Sequence, residues 1–282
     1  MSIVVNNNIA SLIAQRNLRH NTVSLIGSIE RLSSGYRINR ASDDAAGLSI
    51  SENLRSQIRG NAKAMNNIQD GINMLTIAEG GLSVIGENIQ RVRELSIQAA
   101  NETNATAEKN AILSEINARL ADNDRISKTA QFNNISLLDG SLSSARLQIG
   151  AGAVASINTI DISTVLSTSV DSSTIGISLS VTGSTWTSDN VRSYIAKLDL
   201  ALTSISSRRS DLGAYQNRLE SALENLTVMN ENLQASESRI RDVDVAQESA
   251  TMTKYQILQQ ASASVLAQAN TLPQIALSLI RF

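Results

Sequence analysis

Side chains that could do chemistry are few in this sequence, and the only adjacent carboxylates are Asp43 and Asp44. Such a pair could hold a metal ion or act as an acid and a base. No cluster of histidine, cysteine or glutamate lies nearby to complete a site, and the pair directly precedes Ala45-Ala46. Carboxylates are favoured at helix N-termini because they accept hydrogen bonds from free backbone N–H groups and complement the helix dipole. The pattern therefore favours helix capping over catalysis.

The remaining reactive groups do not form a catalytic set. His20 is the only histidine, and we expect it on the surface of a helix that offers no other metal ligand. The sequence has no cysteine, no glycine-rich phosphate loop, no HExxH motif and no serine–histidine–aspartate set. We therefore predict a protein that is not an enzyme and has no cofactor. The net charge of -2 argues against nucleic-acid binding, and no apolar run is long enough for membrane insertion.

Most of the chain is patterned for long helices, above all residues 191–240. Aliphatic residues there keep one heptad register, which indicates a long helix with a narrow apolar seam that needs partner helices. The predicted core positions of this helix are Leu198, Leu202, Leu212, Leu219, Leu223 and Leu226. Four polar residues interrupt the seam, namely Arg209, Gln216, Asn230 and Glu237. They either fix the register of the helices or lie where the seam reaches solvent.

The two ends of the chain carry thinner apolar stripes. Residues 1–33 predict one helix, and 241–282 predict another after a short start. Each helix would be only marginally stable alone, because a short helix with a thin apolar stripe depends on tertiary packing. The positions expected to associate are Leu18, Leu25, Ile29, Leu258, Val265 and Leu266. Between the ends, 34–47 predict a linker and 48–140 begin with two more helices, at 48–100 and 107–129.

The hydrophobic period changes from Gln131 onward. Leu138-Asp139-Gly140-Ser141 predicts a hairpin turn, residues 150–187 are rich in Ser, Thr, Gly and Val, and we expect 141–187 to form a small β region. Alternation typical of strands occurs at 146–150, 155–160 and 175–181. Trp186 is expected to fill the junction with the helix at 188–240. The sequence thus predicts a mainly α fold, a long antiparallel helical bundle or coiled-coil rod with a small β-hairpin region.

Five motifs, in the same order, resemble those of bacterial flagellins. They are LSSGYRINRASDDAAGLSIS (32–51), IQRVRELSIQAAN (89–101), SDLGAYQNRLESA (210–222), ASESRIRDVD (235–244) and QILQQASASVLAQANTLPQIALSLIR (256–281). Residues 141–187 carry no such motif and stand where flagellins often insert outer domains. The resemblance therefore implies a short-form flagellin, with little or no outer-domain insert.

The resemblance also implies a domain organisation. A terminal domain, called D0, would combine the helices of 1–33 and 241–282. A rod domain, called D1, would combine 48–140 with 188–240. Residues 34–47 would form the spoke between these two domains.

The function implied by the resemblance is that of a structural subunit. Flagellins self-assemble into the helical filament that bacteria use for motility. Family members leave the cell unfolded, through the flagellum's own channel, so the expected location is the extracellular flagellum. The implied partners are other copies of the chain, an export chaperone at the C-terminal segment, and the filament cap and hook-junction proteins.

Two alternatives remain open at this point. A hook–filament junction protein shares the terminal motifs but polymerises little, and the close match at 89–101 disfavours it. A flagellin with a catalytic insert is the second alternative. A metalloprotease insert needs HExxH-like ligands, and 141–187 contain no histidine.

A second role follows from the resemblance alone. In flagellins recognised by the animal Toll-like receptor 5, a motif on the rod domain binds the receptor. The matching residues here are Arg91, Leu95 and Glu115, with Gln90 and Arg119 nearby. The same surface is buried by subunit packing in the family's filaments, so receptor binding and packing can share these residues.

Overall fold

Helices dominate the computed structural model, which describes residues 7–280, with side chains as far as 271. In chain order, the helices are α1 (Ile9–Ser34), α2 (Ala45–Ala99), α3 (Thr106–Thr129), α4 (Ala155–Asn158), α5 (Ser163–Leu166), α6 (Ser188–Arg241) and α7 (Val245–Ile280). The strands are β1 (Gln131–Phe132), β2 (Ile135–Ser136), β3 (Arg146–Gln148) and β4 (Thr159–Asp161). The predicted mainly α fold with a small hairpin region is confirmed.

The described residues divide into two compact units. The first contains residues up to Ser56 and those from Asn232 onward, so it combines the two ends of the chain. The second is Gln57–Glu231. Helices α2 and α6 contribute residues to both units, so neither unit boundary coincides with a break in a helix.

In the first unit, glycine and aspartate define the ends of α1 and α2. Helix α1 ends because Gly35 adopts a φ of +75° and donates its N–H to the carbonyl of Arg31 at 2.9 Å. Asp44 caps α2, since its Oδ1 accepts the N–H of Gly47 at 2.8 Å. Asp43 accepts the backbone N–H groups of Arg40 and Asn39, and these bonds, that from Arg40 first, hold its pKa below the ordinary value. Both carboxylates therefore serve the chain's own backbone.

The core of the second unit lies between α2, α3, α6 and the β segments. The innermost positions of α6 repeat every seven residues, as a heptad seam requires. They are Val191, Leu198, Ile205, Leu212, Leu219 and Leu226. From α2, the fully buried residues include Ile68, Leu75, Leu82, Ile85, Ile89 and Val92. Trp186 is also buried, with its ring edge-on to Tyr194 at 6.4 Å between centroids.

The second set of heptad positions on α6 is less buried than the first. Leu202 and Leu223 are half-buried, because they lie at the flank of the seam. Arg209 lies at the surface and forms an ion pair with Glu79 at 2.9 Å, whereas Asn230 is buried. Of the polar residues on the seam, Arg209 therefore reaches solvent, whereas Asn230 lies inside the packed helices.

The β region corrects the sequence prediction in detail. The first hairpin joins β1 to β2 through Asn133 and Asn134, both with positive φ, so the turn precedes the predicted one at 138–141. The second pairs β3 with β4, while 155–158 form a helical turn rather than a strand. Residues 175–181 show alternation but form no strand. Ile177 is buried and Leu179 packs on the core, so every second residue faces inward although the backbone is irregular. Alternation alone therefore does not identify a strand here.

Glycines in α2 mark where other segments lie against this helix. A Cβ on Gly60 would stand 2.6 Å from the Cβ of Ala151, and one on Gly71 would stand 2.3 Å from Leu147. A Cβ on Gly81 would similarly meet Leu138 at 2.8 Å. These separations are too short for carbon atoms, so a side chain at any of the three positions would displace its neighbour. The two leucine side chains could shift, but the Cβ of Ala151 is fixed to its backbone.

Alanine substitutions in α2 test this packing. We expect Gly60→Ala to destabilise the protein by about 1–3 kcal/mol, because the rigid methyl group of Ala151 cannot rotate away. Gly80→Ala is the matched control, with open space at its Cβ position, and should stabilise the helix by up to about 1 kcal/mol. Urea unfolding of dilute monomer measures both. Equal effects of the two substitutions would contradict the packing described here.

Candidate self-association surfaces

Helices α1 and α7 lie side by side and antiparallel in the first unit, and several polar contacts join them. At one end, Asn8 Nδ2 donates to the carbonyl of Ala269 at 2.8 Å. At the other, Arg31 forms an ion pair with Glu248 at 2.8 Å. Further hydrogen bonds between the helices join Ser11 to Asn270, Gln259 to Thr22, and Asn21 to both Ser262 and the carbonyl of Leu258. These directional contacts fix the register of the pair.

The apolar side chains of this pair remain mostly at the surface. Among the described residues of α1 and α7, the buried apolar side chains are Ala14, Leu25 and Ala269. The exposed ones are Ile9, Leu12, Ile13, Val23, Ile26 and Ile29 on α1, and Val245, Ile257, Leu258 and Val265 on α7. Two helices alone cannot cover stripes on their outer sides. So many exposed apolar side chains on one helix pair mark an interaction site.

The structure therefore separates the residues predicted to associate at the two ends into a buried or half-buried group and an exposed group. Leu25 is buried between α1 and α7, and Leu18 and Leu266 are half-buried. Ile29, Leu258 and Val265 are exposed, Val265 with 59% of its surface accessible. The first three positions can stabilise the pair itself. The last three leave part of their surface free for contact with another molecule.

A second surface lies in the second unit, where α2 and α3 meet. Arg91 of α2 donates to Glu94 at 3.1 Å and forms an ion pair with Glu115 of α3 at 3.5 Å. The hydrogen bond to Glu94, followed by the charge of Glu115, raises the pKa of Arg91. Gln90 is exposed beside it, but Leu95 is only 3% exposed and supports the surface from beneath. The structure thus brings the charged members of the predicted set together.

Two buried asparagines under this surface were missed by sequence reasoning. Asn88 donates to Asn123 of α3 at 2.9 Å, and both side chains are buried. Arg119 donates to the remaining oxygen, Oδ1 of Asn88, at 3.1 Å. The sequence does contain a signal for this pair, because each helix has an asparagine on its inward side. Asn88 directly precedes Ile89, and Asn123 lies one turn after Leu120. A buried polar pair at such positions fixes helix register, so it positions Arg119 relative to Arg91.

An open groove of about 420 Å³ runs between α2 and α6 next to Arg91. Its lining includes Gly86, Gln90, Leu202 and Arg209. Within residues 7–280, no three potential metal ligands gather at one place. None of the helices described is both long and apolar enough to cross a bilayer.

Long paired helices with uncovered apolar stripes are typical of structural proteins that assemble through helix packing. Two family models match the chain: the bacterial flagellin N-terminal helical region at residues 5–143 and the C-terminal helical region at 195–280. A flagellin of Halalkalibacterium halodurans is 44% identical over 279 residues, which cover 99% of this chain and 100% of the relative. The chain therefore belongs to the bacterial flagellin family, whose members are structural proteins of the flagellar filament and not enzymes.

Other relatives agree with this assignment. A flagellar filament core protein of Brachyspira hyodysenteriae is 41% identical over 293 residues, which cover 99% of this chain and all of the relative. Among solved structures, one assigned to a flagellar hook-associated protein of Vibrio parahaemolyticus has a TM-score of 0.56. It covers 71% of this chain and 100% of its own, at 13% identity. At that identity the likeness concerns the fold alone.

Proposed function

We propose that this chain polymerises into the helical filament of a bacterial flagellum, outside the cell. The observation that carries the proposal is the apolar stripe on each outer side of the α1 and α7 pair. Burial of such surface is favourable by roughly 25 cal/mol per Å², and further copies of the chain can supply the cover. Contacts between unlike surfaces of identical copies produce an open helical polymer.

Electron microscopy of the purified protein tests this proposal. We expect long helical filaments to form from monomer when the protein is concentrated, and to dissolve again to monomer on heating. Ultracentrifugation gives the fraction assembled. A protein that stays monomeric at all concentrations, or that forms only closed rings, would contradict it.

The same exposed apolar surfaces support proposals for the partners of the chain during export and at the two ends of the filament. The part of α7 from 249 to 271 carries a single charged residue, Lys254, and several exposed apolar side chains. Such a segment needs cover before assembly, and we propose that an export chaperone binds it inside the cell. At the two ends of the filament the same stripes would meet the cap and hook-junction proteins.

We further propose that the surface around Arg91 is recognised by Toll-like receptor 5 of animal hosts. The support is the cluster of exposed charges on adjoining helices, formed by Arg91, Glu94 and Glu115. Gln90 adds an exposed amide to the surface. Leu95 contributes by packing beneath these groups, because it is buried.

Arg91→Ala is expected to weaken activation of this receptor at least tenfold. Loss of a central charged anchor typically costs 2 kcal/mol or more at an interface. A cell reporter assay with monomer measures the effect, and circular dichroism checks that the helices remain. Arg125→Ala is the matched control, since Arg125 is also exposed and also pairs with an acidic side chain three residues away, that of Asp122. Unchanged signalling by Arg91→Ala would rule out the proposed receptor surface.

A further inference from the structure

One side of α2 in the second unit carries exposed charge without a partner. Arg59 and Lys63 are exposed, four residues apart, and neither takes part in an ion pair or hydrogen bond among the residues described. Asp70 lies two turns further along. Two exposed apolar side chains, Ile77 and Val84, follow on the same side. Steps of three, four and seven residues keep all five on one side of a helix.

Helix α6 has an exposed face that is acidic, whereas Arg59 and Lys63 make that of α2 basic. Glu220, Glu224 and Glu231 are exposed, and none of them forms an ion pair within the described part of the chain. Two turns before Glu220 lies Gly213, where a Cβ would meet nothing within 4 Å. Ser210, one turn earlier, is also small and exposed. Glycine inside a helix costs about 1 kcal/mol relative to alanine, so an open glycine on this face suits a close approach by another molecule.

The two faces match each other along their lengths. Helices α2 and α6 run antiparallel in the second unit, as the ion pairs between them require. In an antiparallel pairing of α2 from one copy with α6 from another, the register that sets Arg59 opposite Glu224 also sets Lys63 opposite Glu220. Ile77 then lies opposite Ser206, a small and exposed residue. Basic side chains can therefore meet acidic ones while an apolar side chain meets a small one.

We propose that this basic and apolar side of α2 docks against the acidic and small-residue face of α6 on a second copy of the chain. The proposal rests on the proposed function and names one contact within the filament. The four-residue spacing of Arg59 and Lys63 equals that of Glu220 and Glu224, so two ion pairs can form together. Because the two surfaces differ, the contact is heterologous and leaves one free face at each end, as an open polymer requires.

Charge reversal tests the contact in the full-length protein. The first variant combines Arg59→Glu with Lys63→Glu, so both of its faces are acidic. The second combines Glu220→Lys with Glu224→Lys, so both of its faces are basic. We expect each variant alone to need at least tenfold more protein to form filaments than the unmodified chain, because like charges would meet. An equimolar mixture should form filaments at the unmodified concentration, since each face then finds its opposite.

A chain with all four substitutions gives an independent check, because it restores opposite charges within one sequence and should polymerise alone. The control variant, Lys128→Glu with Lys197→Glu, makes the same change in net charge as the first variant but elsewhere on the surface, and should assemble normally. The docking is wrong if the two variants assemble as well as the unmodified chain. It is also wrong if the mixture and the four-substitution chain fail although circular dichroism shows folded helices, or if the control fails equally. Failure of the unmodified chain to polymerise would instead refute the proposed function, and this contact with it.

Discussion

Deletion of residues 1–33 is expected to abolish filament formation while leaving a folded second unit. Without α1, helix α7 loses all the polar contacts that fix the pair, from Asn8 at one end to Arg31 at the other. A single helix with a thin apolar stripe is marginal in water. The second unit has its own core, in which side chains such as Ile68 and Leu198 are fully buried. Its stability should therefore depend little on the deleted segment.

Three measurements on the truncated protein check this expectation. Electron microscopy should show no filaments, far-UV circular dichroism should retain most of the helical signal, and limited proteolysis should leave a resistant core close to Gln57–Glu231. Deletion of 245–282 should give the same result, because α7 is the other half of the pair. Normal filaments from a protein that lacks both segments would refute the role assigned to the ends.

The helices could be predicted closely because their causes are local. Heptad repeats, the stop at Gly35 and the carboxylate at Asp44 all act within a few residues, so α2 was expected at 48–100 and occurs at Ala45–Ala99. The β region could not be predicted so well. Its short segments are placed by contacts with α2, such as Leu147 against Gly71, which depend on residues far apart in the chain.

The same distinction applies to the candidate surfaces. The resemblance to flagellins indicated Arg91 and Glu115, but the buried pair Asn88 and Asn123 beneath them depends on the register between α2 and α3. That register is a tertiary property. Likewise, a single apolar stripe on a terminal helix does not reveal which side faces the partner helix. The position of Leu25 inside the pair and of Val265 outside it follows only from the way α1 and α7 pack.

Leu219→Ala is expected to destabilise the monomer by about 2–5 kcal/mol, the usual cost of removing a fully buried leucine side chain. Leu219 is 0% exposed in the seam of α6, and a small domain has only about 5–15 kcal/mol of stability in total. Leu223→Ala should cost less, because Leu223 is half-buried at the flank of the seam. Ser221→Ala, at an exposed position, should change stability by roughly 0.5 kcal/mol or less.

Urea unfolding of dilute monomer, followed by circular dichroism, ranks the three substitutions. The expected order of destabilisation is Leu219, then Leu223, then Ser221, with Leu219→Ala lowering the midpoint and leaving the slope unchanged. This order distinguishes a seam with one inner and one flanking position per heptad from a seam with two equal ones. If Leu223→Ala costs as much as Leu219→Ala, both positions are equally buried and the packing of α6 described here is wrong. If Ser221→Ala destabilises the monomer as much as the two leucine substitutions do, the heptad register itself is wrong.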